Sequence, residues 1–502
     1  MRVISKTLLL IVAGGFVSLS AAAQGNAGAS GSEMHKSFQE FRKGMLSDFK
    51  DFRQRLLDQY ADFLNGEWHE YESIRGDVRD KTPKPKAVPT VNGDSAGKQP
   101  DSNPTEKKQP VVKTQEKPDN RSILSPESAT QSKPTLVDAD EFDFYGIPLT
   151  LPKVDYNIRH NLASTKDYGS NWNSLKEKGV ASKVIPDLKR IADEMNLNDY
   201  LLFRLTESYV NGKFADTDAS SRFSLIHYLL ANMGYDVRIA VTTSGTPLLL
   251  LPFKERVFAR TYMKIGNERY YAFAPENSDL EAMSGEGILT CHLPSDGNLG
   301  EKFELRLSGL NIPVKPKSFK LEYGPLCLSG DVNENLMPIL YHYPQMPVED
   351  FAISEISPEL RSKLISQVKT QLSGMQGDEK VEALLKFMHN VFEYATDEEN
   401  HGFEKPYFLE ETLFYPKNDC EDRAIFYTWL LWNALGREAQ LITFPGHESA
   451  TVVMEKPVEG TSYNFDGKKY YVSDPTYIGS STGMVMPTYR GLEPEIDYTY
   501  RR

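Results

Sequence analysis

Cysteine is nearly absent from this chain, with only Cys291, Cys327 and Cys420 in 502 residues. That scarcity excludes a disulfide-stapled fold, and the odd count leaves one thiol unpaired whatever the other two do. Cys-x-x-Cys and His-Glu-x-x-His spacings are missing, so no metal is expected. A glycine-rich phosphate loop is missing too, which removes nucleotide chemistry, and no other cofactor is implied. Basic residues are outnumbered 57 to 70, giving a net charge of −13. A nucleic-acid partner would need the opposite balance. No apolar run, at the start or later, is long enough to span a bilayer.

What is present suits packed cores. Hydrophobic residues make up 40% of the chain and aromatics 11%, and 502 residues exceed what one core organises, so several units are expected. Arg2 and Lys6, the apolar stretch Leu8 to Leu19, and Ala21-Ala22-Ala23 read as a signal peptide over residues 1–23. The expected location is therefore periplasmic or secreted. Cys291 and Cys327 either pair with each other or sit separately in a core.

Residues 24–80 carry an aromatic repeat. Phe38, Phe49, Tyr60 and Tyr71 recur every 11 residues, and Phe41, Phe52, Phe63 and Ile74 keep the same step. Eleven residues are three helical turns, so the pattern predicts one long amphipathic helix with a nearly straight apolar stripe. The stripe over 32–78 must be covered by a second copy, by the body of the protein, or by a membrane surface. Residues 81–136 then turn to Pro, Lys, Ser and Gln with almost no aromatics, which reads as a disordered linker.

Order is expected to resume over 137–300. Strand-like residues 142–145 lead to helical patterns over 187–205 and 223–233, the latter closed by Gly234, and then to strands over 237–242 and 260–273. A connecting segment rich in strand-like alternation follows over 301–345, including Phe303 to Leu307. Residues 346–502 start with helices at 358–372 and 380–392 and a loop at 395–418. An apolar helix then begins at Asp419-Cys420-Glu421-Asp422. The last two units share a pattern. Gly234 aligns with Gly436 and Val237 with Ala439, while Tyr270-Tyr271 to Pro275 aligns with Tyr470-Tyr471 to Pro475. That alignment sets Asp218 opposite Cys420 and Ala274 opposite Asp474, with no histidine opposite His447. The fold class expected is α+β, with a non-catalytic copy preceding a complete one.

Three residues of the last unit carry chemistry. Cys420 opens a helix, where N–H groups and the macrodipole favour a thiolate. His447 follows Pro445-Gly446 at a strand start, and Asp474 ends a further strand before Pro475. Nucleophile, base and orienting carboxylate in one unit point to acyl transfer through a thioester. His389 and His401 are rival bases. Tyr407, Tyr415 and Asn418 are candidates for a second oxyanion donor, the first being the Cys420 N–H.

The run from Lys380 to Pro475, with its Asp-Cys-Glu-Asp-Arg-Ala, Gly-His and Ser-Asp-Pro-Thr segments, resembles the bacterial transglutaminase-like superfamily. The resemblance covers about the last quarter of the chain. It implies a papain-like core in the C-terminal domain and a degenerate transglutaminase-like domain before it. It also implies Cys420 as nucleophile, His447 as base and Asp474 as its orienting group. The function expected is an exported thiol hydrolase or acyltransferase acting on protein or peptide amides, with hydrolysis favoured over cross-linking. A non-catalytic envelope scaffold, built on two such folds and a self-associating helix, is the alternative.

Overall fold

The computed structural model describes residues 53–79, 82, 84–91, 138–275, 285–291 and 300–501, with a few isolated positions before 53. The predicted signal peptide, most of the aromatic repeat and most of the predicted linker lie outside these residues. Helices and antiparallel sheets segregate along the chain, which is an α+β arrangement. Among the described residues no helix is long and apolar enough to cross a membrane.

The first half is built on helices Thr165–Glu177, Val180–Glu194, Asp199–Lys213 and Ala219–Met233. Capping sets their starts: Asn198 accepts from the Leu201 N–H and Asp218 from the Ser221 N–H, each satisfying a first-turn donor. The third and fourth helices bury nearly all their apolar positions. They lie beside a six-stranded sheet in the order Trp68–Glu72, Gly287–Cys291, Arg238–Thr242, Pro247–Leu251, Glu268–Phe273, Tyr262–Ile265. Every strand of it is antiparallel to its neighbours.

The second half repeats that order. Strands Ser462–Phe465, Lys468–Val472, His447–Val453, Ala439–Phe444 and Glu495–Tyr500 form a five-stranded antiparallel sheet in that sequence. Helix Cys420–Asn433 packs on it, buried without interruption from Cys420 to Leu431. Read from the matching edge, the first sheet runs 262–265, 268–273, 247–251, 238–242 and 287–291, so hairpin answers hairpin and strand answers strand. Trp68–Glu72 is an additional edge strand without a counterpart.

The N-terminal helix departs from expectation. Helical residues 53–58 lead into Tyr60–Asn65, and there the helix stops, because Trp68–Glu72 pairs with Gly287–Cys291 and Ile74 bridges Tyr262. Tyr71 and Ile74, the last members of the repeat, therefore lie in extended chain. Leu56, Leu57, Tyr60, Ala61 and Leu64 are buried against the body, mainly on helix Thr165–Glu177. Gly169 allows that approach, since a Cβ there would fall 2.8 Å from the Ala61 carbonyl oxygen. The Tyr60 ring lies 4.5 Å from that of Trp172, tilted by 49°, and its hydroxyl is 3.1 Å from His227 Nε2.

Other differences are local. The helical pattern over 187–205 is two helices broken at Met195 to Asn198, and the 260–273 run is a hairpin turning at Gly266. Phe303, Leu305 and Leu307 alternate as a strand would, but they are buried under loops and form only an isolated bridge to Phe253. The connecting segment's hairpin is Pro316–Tyr323 with Leu326–Asn333. The 395–418 loop contains two short helices, Asp397–Asn400 and Leu409–Phe414. Cys291 and Cys327 are both free thiols. Residues 84–91, expected to begin the linker, are ordered against the second half. Lys84 is 12% exposed, and the Ile478 N–H donates to the Pro89 carbonyl while the Val91 N–H donates to the Ile478 carbonyl.

Candidate active site

Cys420 is the first residue of its helix. Its start is set by the Asp419 N–H donating to Asp422 Oδ2 at 3.3 Å, the reciprocal half of a capping box. The adjoining strands Ala439–Phe444 and His447–Val453 turn at Pro445-Gly446, where Gly446 has a φ of +74°. Proline followed by a left-handed glycine is the requirement of a tight type II turn. This turn makes His447 the first residue of its strand. The antiparallel neighbour Lys468–Val472 ends at the same edge, so Asp474 emerges beside His447.

His447 Nε2 lies 2.8 Å from Asp474 Oδ2. A carboxylate can only accept, so Nε2 carries the proton and Nδ1 presents a bare lone pair. Nδ1 is buried and has no hydrogen-bond partner within the protein. The ring stacks on Tyr489 with 4° between the planes. Asp474 is held in turn: its Oδ1 accepts from the Thr476 and Tyr477 N–H groups, and His389 Nε2 lies 2.9 Å from its carbonyl oxygen. Burial pushes the Asp474 carboxyl up, but His447 and these N–H donors bring it below its usual range. His389, read from the sequence as a rival base, thus supports the orienting residue. His401 stands apart with Tyr407 and Tyr415 in an aromatic cluster, and burial lowers its pKa to about 4.

Cys420 and His447 line one cavity of about 160 Å³, together with Arg79, Thr82, Lys84, Glu404, Glu421, Thr443, Gly446 and Glu448. Cys420 Sγ accepts from the Glu448 N–H at 3.5 Å and lies 3.5 Å from Glu421 Oε2. The electrostatics differ from the simple helix-end expectation. Burial pushes the thiol well above its usual value and Glu421 and Asp419 push the same way, while Lys84 and the Glu448 N–H oppose them. The macrodipole is outweighed by two carboxylates next in sequence.

Those carboxylates belong to a larger set. Asp397, Asp419 and Asp422 bring oxygens within 4.8 Å of one another, as do Asp397, Glu404 and Glu421, close enough to hold a cation. The cation present is Lys84, with Nζ at 2.5 Å from Glu421, 2.7 Å from Glu404, 2.8 Å from Asp419 and 3.6 Å from Asp397. Arg79 adds contacts of 3.5 Å to Glu421 and 3.3 Å to Glu448. Burial alone would raise Glu421, but Lys84 and Arg79 draw it down to about 2, whereas burial and Glu421 raise Asp419 to about 6.

Arg79, Lys84, Glu448 and Tyr489 were not legible as site residues: no spacing motif marks them, and Arg79 and Lys84 come from a remote part of the chain. Of the three oxyanion candidates, Tyr407 and Tyr415 pack on each other. Asn418 has its Oδ1 engaged by Arg423 and its Nδ2 buried without a partner. Neither a family model, nor a curated protein, nor a solved structure matches this chain.

Proposed function

We propose that this chain is an exported, thiol-dependent acyl-transfer enzyme of transglutaminase-like type, acting on protein or peptide amides and handing the acyl group to water. The observation that carries the reading is His447: its Nε2 is committed to Asp474, its Nδ1 has no partner within the protein, and the residue lines the same cavity as Cys420. Cys420 passes its proton to Nδ1 and its sulfur attacks the amide carbon, forming the C–S bond. The Cys420 N–H is the first oxyanion donor of this scheme. On collapse the C–N bond breaks and the amine leaves with the proton from Nδ1. Water then gives a proton to Nδ1 and its oxygen to the thioester carbon, releasing a carboxylate and restoring the thiol.

The shared strand order of the two halves supports reading the first as a degenerate copy. Pro247 starts the strand that answers His447–Val453, so the copy has neither thiol nor imidazole there. A scaffold reading draws on one observation: Cys420 is fully buried and its thiol is pushed up. Iodoacetamide decides between them. Labelling of Cys420 at neutral pH faster than a free thiol, reduced about 10²-fold or more in His447→Ala, is expected of the enzyme. Equal rates in both proteins support the scaffold. Mass spectrometry of envelope peptides after incubation then separates water from amine as acceptor.

A further inference from the structure

The cavity beside Cys420 already receives a polypeptide, and it is the chain's own. Arg79, Thr82 and Lys84 line it. The Tyr394 hydroxyl donates to the Pro85 carbonyl at 2.7 Å, and Thr90 bridges Ile478 in parallel register. The described residues around Lys84 are thus tied to the second half on both sides of the site, and the Lys84 side chain reaches the carboxylates. Lys84 meets four carboxylates arriving from separate elements: the short helix at Asp397, the loop at Glu404, and the helix start at Asp419 and Glu421. An ammonium group is a compact charge with three rotatable donors and suits such convergence, whereas a planar guanidinium suits one carboxylate edge-on. Polar atoms remain unanswered around this contact: Asp419 Oδ1, and Glu448 Oε1 of a cavity-lining residue, both buried without partners. A core ion pair would have no use for a cavity or for these idle groups.

We propose that Asp397, Glu404, Asp419 and Glu421 form a subsite for the ammonium side chain of a lysine in a bound polypeptide, which Lys84 fills here, so that Lys84 competes with substrate. The inference rests on the proposed thiol chemistry for its catalytic meaning, but not for binding. Withdrawal of Lys84 leaves the carboxylates to select a basic substrate segment beside Cys420.

The test uses the full-length chain carrying Arg79→Ala and Lys84→Met, which weakens the internal occupant. A fluorescein-labelled peptide with the sequence of residues 79–91 is titrated by polarisation, beside the same peptide with norleucine at position 84. Binding at least tenfold tighter with lysine is the expected result, and equal binding overturns the subsite. Should the double variant not fold, Lys84→Gln alone is treated with cationic aminoethyl and anionic sulfonatoethyl methanethiosulfonate. Their rate ratio at Cys420 cancels changes in sulfur reactivity. A rise of about tenfold over the wild-type chain is expected for a vacated cation subsite, and an unchanged ratio overturns it. Lysine-dependent binding with an unreactive Cys420 would retain the subsite and remove the thiol enzyme.

Discussion

His447 shows how much one side chain's environment determines. Its ring is held by Asp474 at Nε2 and by the face of Tyr489, and this assigns the free nitrogen. Asp474→Asn therefore has a specific consequence. With its oxygen kept on the Thr476 and Tyr477 N–H groups, the amide turns its NH₂ to the ring, so Nε2 must accept and Nδ1 is no longer left bare. Alkylation of Cys420 should slow by about 10²-fold, while the melting temperature moves little, because an asparagine oxygen still accepts from Thr476 and Tyr477. Measuring the alkylation rate of Cys420 in both proteins at neutral pH, beside their melting temperatures, checks it. The order of Cys, His and Asp was readable from residues because each adjoins a turn or cap with its own sequence signal. The thiol's electrostatics were not, because Lys84 and Arg79 are brought to it from more than three hundred residues away.

At the scale of elements, helix Leu409–Phe414 holds a titratable group that the site does not use. Burial raises the pKa of Glu410 to about 7, although its Oε1 accepts from the Ser357 N–H. A carboxyl raised in the folded state binds its proton more tightly there than in the unfolded chain. Its contribution to stability is full below the ordinary pKa of about 4.5 and is lost as pH rises through about 7. Glu410→Gln keeps an acceptor for Ser357 and removes the titration. The variant should gain up to about 3 kcal/mol on the wild-type chain between pH 5 and pH 8, read by urea unfolding at the two values. The same scale explains the shortened N-terminal helix. Periodicity extended it through Tyr71 and Ile74, but the open edge of the first sheet takes Trp68–Glu72 as a strand, and ladder bonds outweigh a weak local helical preference.

For the whole molecule, buried side chains form one continuous cluster from Leu56 to Tyr471, crossing from the first half into the second. Such a shared core couples the halves. Chains retaining only Trp172 or only Trp429, with the other three tryptophans replaced by phenylalanine, report on the first and second halves separately. Their thermal transitions should coincide, and midpoints separated by more than about 5 °C would show the halves unfolding independently.

Local chemistry in the chain was enough for the mixed helix–strand character, the elements around Cys420, His447 and Asp474, and the matched pattern of the two halves. Periodicity, caps and turn residues act over a few positions and can be read there. Three things had to wait for the folded chain: that the aromatic helix docks on its own body, that Lys84 reaches the cavity beside the thiol, and that four carboxylates converge on Lys84. Each depends on surfaces that exist only after distant segments pack, and burial there multiplies charge interactions that in water would be weak.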